Sequence, residues 1–179
     1  MQNYREFLEI IDDLLKNEEV NKMKKYRQHC DISTFDHCRN VSYICYVICK
    51  RFNLDYVSAA RAGMLHDLFL YDWREKRSHQ KFTDLHAFSH PKIALENAKK
   101  VTSLNEKEED IILKHMWPLT IKLPKYKESY IITIADKYSA TMESWQYLKR
   151  KIQKSTKRNG IVESWYSKIY RMNWEDIWD

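Results

Sequence analysis

Turn-forming residues are scarce in this sequence, and that restricts its fold more than any other feature. Two glycines and three prolines serve 179 residues. Tight hairpins need glycine, proline or asparagine–glycine pairs at defined positions, so an all-α protein is expected before any periodicity is read. The length suits one domain, which can bury about two-thirds or more of its unfolded surface. No apolar run approaches the roughly 20 residues of a membrane span, and no membrane partner is expected. The N-terminal segment is amphipathic but carries Glu6, Glu9, Asp12 and Asp13, which argues against a signal or transit peptide.

Helical spacing recurs along the chain. Residues 4–16 put Phe7, Ile10, Ile11, Leu14 and Leu15 on one face, and a short helix through Val20 and Met23 follows. Asp31, Ser33 and Thr34 offer N-caps for a helix over 35–52, with Val41, Ile44, Cys45, Ile48 and Cys49 inward. Asn53 and Asp55 break and restart the pattern. A helix from Tyr56 to Phe69 contains Ala59, Ala60, Ala62 and Gly63, then His66-Asp67. Gly63 costs about 1 kcal/mol against alanine within a helix, so close packing is expected there. Residues 70–89 lack a period. Pro91 suits a first helical turn of a helix through Ile93, Ala94, Ala98 and Val101. Ser103 and Asn105 lead into a helix holding Ile111, Ile112 and His115, which stops near Pro118. A long helix spans 128–148 with Ile131, Ile132, Ile134, Ala135 and Tyr138 as its apolar stretch. Ile161, Trp165, Ile169 and Met172 mark a C-terminal amphipathic helix within 149–175. The chain reads as a single domain, 1–179, with its core over about 30–145 and a flexible connector over 149–160.

Three of the four cysteines, Cys38, Cys45 and Cys49, fall within one expected helix. A rigid helix is a poor disulfide framework, so reduced core thiols and a cytoplasmic location are expected. The net charge of +6 is local: Lys149, Arg150, Lys151, Lys154, Lys157 and Arg158 account for it, and the remainder sums to zero. A solvated helix end explains such a run, and so does a contact to RNA or a phosphate-bearing ligand through 149–158.

The chemistry lies in a recurring pattern of imidazoles and carboxylates. His37 lies one turn into a helix, His66-Asp67 follows the small-residue helix, His90 precedes Pro91, His115 nears a helix end, and Asp136 lies mid-helix in Ile134-Ala135-Asp136-Lys137-Tyr138. Apolar neighbours imply burial. Metal binding is one of few ways to bury several such groups together.

This order resembles the HD-domain superfamily of metal-dependent phosphohydrolases, over roughly residues 30–145. The resemblance rests on Asp36-His37 through Val41, Gly63-Met64-Leu65-His66-Asp67, His90-Pro91, His115 and Asp136. It implies a helical bundle with a metal site in its core. One ion would be held by His37, His66, Asp67 and Asp136. Asp67 would bridge to a second ion on His90 and His115. Iron, manganese, cobalt, nickel and zinc all suit such ligands. The branch that cleaves cyclic di-guanylate has a further His where Met116 stands, with a Gly-Tyr-Pro signature downstream that is missing from this sequence. Cyclic dinucleotide cleavage is therefore not expected, and one ion or two both stay open.

The resemblance implies hydrolysis of a small phosphorylated substrate such as a nucleotide, through hydroxide generated on the metal, whose bound water falls in pKa from 15.7 toward about 7. Asp67 is the expected centre of catalysis. Arg39 and Lys137 are candidates to neutralise phosphate, although a neighbour of a ligand points about 100° away on a helix. Arg61, Arg74 and His86 are candidate substrate contacts, with Arg74 and Lys76 as a lid. Two other functions fit the same residues: a non-catalytic nucleotide- or RNA-binding module, and a diiron oxygenase.

Overall fold

An antiparallel helix pair, α4 (Thr34–Arg51) and α5 (Tyr56–Leu65), forms the scaffold of the computed structural model. The structure describes residues 2–28, 30–72 and 86–158, with the backbone alone at 86, 87 and 154–158. Ser33 caps α4, its side chain accepting from the Asp36 amide, and Asp55 caps α5 through the Ser58 amide. Between the helices, Asn53 takes the left-handed conformation with φ 53°. The Leu54 amide donates to the Cys49 carbonyl at 2.8 Å and the Asn53 amide to Lys50 at 3.2 Å. This is the reciprocal helix-ending bond pair that an asparagine in this conformation permits, and it turns the chain straight back.

The two helices meet where side chains are smallest. A Cβ added to Gly63 would stand 2.8 Å from the Ser42 Cα, and the Ser42 hydroxyl donates to the Ala60 carbonyl at 2.6 Å. The expected packing reason for Gly63 is thus an interhelical backbone contact. It also sets the register: Tyr46 meets Tyr56 at one end and His37 meets His66 at the other, with ring centroids 5.6 and 5.5 Å apart.

The remaining elements wrap this pair. The N-terminal helices are α1 (Gln2–Ile10), α2 (Asp12–Lys16) and α3 (Glu18–Lys22), followed by a 3-10 turn, Met23–Lys25. They bury Phe7, Ile11, Leu14, Val20 and Met23, and Phe7 stacks edge-on against Tyr43. The single helix expected over 4–16 is interrupted at Ile11. Next come α6 (His86–Val101) and α7 (Glu106–Lys114), the latter started by a reciprocal capping box between Asn105 and Glu108. Finally α8 (Lys127–Arg158) contributes buried Ile132 and Ala135. The fold is all-α among the described residues, with one isolated bridge, Arg27 to Ser33. Cys38, Cys45 and Cys49 are buried free thiols in the core, and Cys30 is half-buried. No helix among the described residues is long and apolar enough to cross a membrane.

The chain divides into a unit of residues 1–144 and a unit of 145–179. In the second, the ammonium of Lys151 lies over the ring of Tyr147.

Several boundaries differ from the pattern-based expectation. Helix α5 stops at Leu65, not Phe69, so His66 is its C-cap and Asp67 lies in the turn beyond. Helix α6 starts at His86, and Pro91 lies inside it, forgoing one backbone donor. His90 is therefore a helical residue and not a leader to a helix. Helix α8 carries through the basic run to Arg158; nothing between 149 and 158 is a proline or glycine that would break it. Within the expected apolar stretch, Ile134 and Tyr138 are 66% and 38% exposed. The buried face is instead that of Ile132, Ala135 and Ser139. The expected helix around Ile161–Met172 lies outside the described residues.

Candidate metal centre

Two of the histidines use one local device. His66 is the C-cap of α5 and His115 the C-cap of α7. The last carbonyls of a helix lack intrahelical partners. The His66 ring takes that of Gly63 through Nδ1 at 2.8 Å, and the His115 ring that of Ile112 at the same distance. A carbonyl can only accept, so each Nδ1 carries the proton and each Nε2 presents a lone pair. His37, at an interior helix position, has a carboxylate on each ring nitrogen instead, so both nitrogens can donate until a cation takes the place of the Nε2 proton. Its Nδ1 faces both oxygens of Glu143 at 3.0 and 3.1 Å, and its Nε2 lies 3.0 Å from Asp136 Oδ1.

These atoms converge in two groups that share Asp67. Around one Asp67 oxygen, His66 Nε2 lies 3.5 Å from Asp67 Oδ2 and 3.8 Å from Asp136 Oδ1, which in turn meets His37. Around the other, His90 Nε2 is 3.3 Å and His115 Nε2 3.5 Å from Asp67 Oδ1, with 2.8 Å between the two nitrogens. His37, His66 and Asp67 form one candidate ligand group, and Asp67, His90 and His115 the other, all buried.

The donor set fits divalent cations. Ligand atoms about 2.0–2.2 Å from one ion stand about 2.8–3.6 Å from each other at octahedral or tetrahedral angles, and most of these separations fall in that range. The 3.8 Å edge from His66 to Asp136 is slightly longer. His66 Nε2 and Asp67 Oδ1 are buried without a hydrogen-bond partner, a costly condition for groups with free lone pairs and one that a cation relieves. Neutral imidazole and carboxylate are the ligands such ions take.

Electrostatics separate the two groups. Burial works against a charged Asp67, yet the neighbouring rings of His66, His115 and His90 outweigh it and hold its carboxyl well below the usual range. Asp136 is likewise held low against burial by His37 and His66. Burial alone would depress His37, but the carboxylates of Asp136 and Glu143 outweigh it and lift its pKa to about 10. His66 is also raised, with Asp67 the main opposing influence to burial. His115 moves down, first through burial and then through the neighbouring His90 and His66 rings, in spite of Asp67. A proton is thus favoured more at His37 and His66 than at His115.

All six expected ligands, His37, His66, Asp67, His90, His115 and Asp136, meet here. The cationic candidates fare differently. Arg61 is turned away: five residues before His66 it lies about 140° around the helix, and its guanidinium grips the Asp13 carboxylate with both terminal nitrogens at 2.7 and 2.8 Å. It also lies 3.6 Å from Glu108. Arg39, about 200° from His37 on α4, pairs at the surface with Asp36 at 3.4 Å. Lys137 is exposed and donates to the Trp117 and Thr133 carbonyls at 3.3 and 3.4 Å. Arg74, Lys76 and the side chain of His86 lie outside the described residues. Met116, half-buried after His115, supplies no imidazole.

Two residues of the centre were not anticipated from sequence. Gln28 donates to Asp67 Oδ2 from a turn closed by Gln28 N to Ile32 O at 3.1 Å and Thr34 N to Tyr26 O at 2.9 Å. Nothing in its local sequence marks it. Glu143 had a signal: Asp136, Ser139 and Glu143 recur at i, i+3, i+7, which places three polar residues on one helix face.

The family model for the HD domain matches residues 34–141 of the chain, a span that includes all six candidate ligands. No curated protein and no solved structure matches.

Proposed function

The chain belongs to the HD-domain family, and from that premise we propose that it is a metal-dependent phosphohydrolase. It acts as a phosphomonoesterase or phosphodiesterase on a nucleotide or another small phosphorylated metabolite. The observation that carries this reading is the division of Asp67: Oδ2 faces His66, while Oδ1 faces His90 and His115. A carboxylate so placed can hold two cations side by side. Divalent ions held there supply polarisation of a phosphoryl oxygen and a bound water that ionises near neutral pH.

The chain's own groups do the rest. Burial keeps bulk water from Asp67, His66 and His115, which strengthens every charge interaction at the centre. The backbone carbonyls of Gly63 and Ile112 hold the Nδ1 protons of His66 and His115 and keep each Nε2 aimed inward. Lys137 is the candidate in this reading to meet a substrate phosphate. It follows Asp136 directly and reaches the Trp117 carbonyl, two residues past His115. Arg74 and His86 belong to this reading as substrate contacts, and Arg39 and Arg61 do not.

Elemental analysis with ion count per chain, together with phosphate release across a nucleotide panel, tests the proposal. Bound Fe, Mn, Co, Ni or Zn with turnover of at least one phosphate ester is the expected result. A protein that takes up no metal and stays inert after reconstitution with Mn or Fe would end it. Oxygen uptake without phosphate release would replace it with oxygenase chemistry on the same ligands.

A further inference from the structure

Glu143 has no part in the ligand set, yet it is a buried carboxylate with both oxygens against one ring nitrogen. We propose that Glu143 is a positioning residue for the metal centre: through the Nδ1–H of His37 it aims and strengthens His37 as a ligand and makes the His37–Asp136 end the tighter of two unequal cation sites. The inference rests on the reading of the centre as a metal site and is independent of which reaction occurs there.

The geometry separates His37 from the other ligand histidines whose Nδ1 partners are seen. His66 and His115 each donate to a neutral carbonyl three residues earlier in their own helix. His37 donates instead to a charged acceptor 106 positions away on α8. A hydrogen bond to a carboxylate is about twice as strong as one to a neutral acceptor, and it makes the opposite nitrogen a better electron donor. Glu143 is itself held: the Ser139 hydroxyl donates to its Oε1 at 2.8 Å. One face of α8 therefore clamps both nitrogens of a ring carried by α4, with Asp136 on Nε2 and Glu143 on Nδ1.

Carboxylates gather at the His37–His66 group. Near the His37–His66 group lie Asp136, one Asp67 oxygen and, behind His37, Glu143. The His90–His115 group faces the other Asp67 oxygen. Gln28 also donates to Asp67 Oδ2, on the first side; a carboxylate oxygen has lone pairs for both a donor and an ion. An ion at the first group meets these carboxylates and a ring held on its far side by a charged acceptor, so it binds first. The second ion is the exchangeable one.

The test is calorimetric titration of the full chain with Mn2+ and Co2+, with the visible absorption of Co2+ read in parallel. Wild type is expected to show two affinity classes. Glu143→Ala should weaken the tighter class by about 10–100-fold, the usual effect of removing a carboxylate that supports a ligand histidine, and should alter its Co2+ spectrum. The weaker class should keep its affinity. Glu143→Gln, which still accepts from Nδ1–H but carries no charge, should recover part of the loss, and Ser139→Ala should show a smaller loss of the same kind. If Glu143→Ala does not fold, Glu143→Gln decides the matter, since loss confined to the tighter class is still required of it. Wild-type affinity in these variants, an equal loss in both classes, or a single class in wild type overturns the proposal. A wild-type chain that binds neither ion refutes the metal centre itself, a distinct outcome.

Discussion

Gly63→Ala is the most informative single perturbation of this fold, because ordinary helix energetics and the observed packing predict opposite signs. On an exposed helix the substitution stabilises by about 1 kcal/mol. Here the new Cβ would stand 2.8 Å from the Ser42 Cα and 3.2 Å from the Ser42 nitrogen. Both are backbone atoms, which no rotamer change can move. Carbon atoms in contact prefer about 3.5 Å, so α4 and α5 must part by roughly 0.7 Å. Overpacking of this kind costs about 1–3 kcal/mol, and the stretched bond from Ser42 to the Ala60 carbonyl adds up to about 1 kcal/mol. Against the helix-propensity gain of about 1 kcal/mol, a net loss of up to about 3 kcal/mol remains, or up to roughly 12 °C in Tm for a protein of this size. Because His37 and His66 sit on the two separated helices with ring centroids 5.5 Å apart, metal affinity should fall as well. Thermal denaturation of the apo chain and a Mn2+ titration measure the two effects. A variant as stable as wild type, with unchanged metal affinity, would refute the idea that this backbone contact positions the centre.

Further expectations concern charge and metal. Asp67→Ala should lose bound metal and phosphohydrolase activity together, by elemental analysis and phosphate release; retention of both would sink the bridging role. Saturating Mn2+ at about 100 times its Kd should raise the unfolding free energy by about 2.7 kcal/mol through mass action, and a chelator should reverse the gain in a thermal scan. Arg61→Ala should destabilise the fold while leaving metal affinity at the wild-type value, in contrast to Asp67→Ala. The pH dependence of Asp13→Asn follows from the same ion pair. Arg61 holds the Asp13 carboxyl below its usual value, against a smaller opposing effect of burial. Its contribution to stability is therefore present above the ordinary aspartate range near 3.9 and is lost as pH falls through the lower folded value. Urea denaturation should show Asp13→Asn less stable than wild type at pH 7 and equal to it in strong acid.

Much of this was legible in the residues alone. Scarce glycine and proline, with apolar positions at helical spacing, determined the helical class, because both act within a few residues of chain. Asn53, Asp55, Ser33 and Asn105 marked real helix ends for the same reason: capping is local chemistry. The candidate ligands were equally visible, since imidazoles and carboxylates beside apolar residues imply burial with a partner. Gly63 announced a close contact without saying against what.

Only the tertiary structure decided how those residues are used. Arg61 lies near His66-Asp67 in sequence yet pairs with Asp13, 48 positions away, because 140° of helix rotation carries it to the other side. Gln28 reaches Asp67 across 39 positions and Glu143 reaches His37 across 106, distances at which periodicity carries no information. The division of the Asp67 oxygens between two histidine groups also depends on where α4, α5, α6, α7 and α8 come to rest. What the His-Asp pair contributes chemically was written in the chain; which ring faces which oxygen, and which carboxylate stands behind it, followed from helix packing.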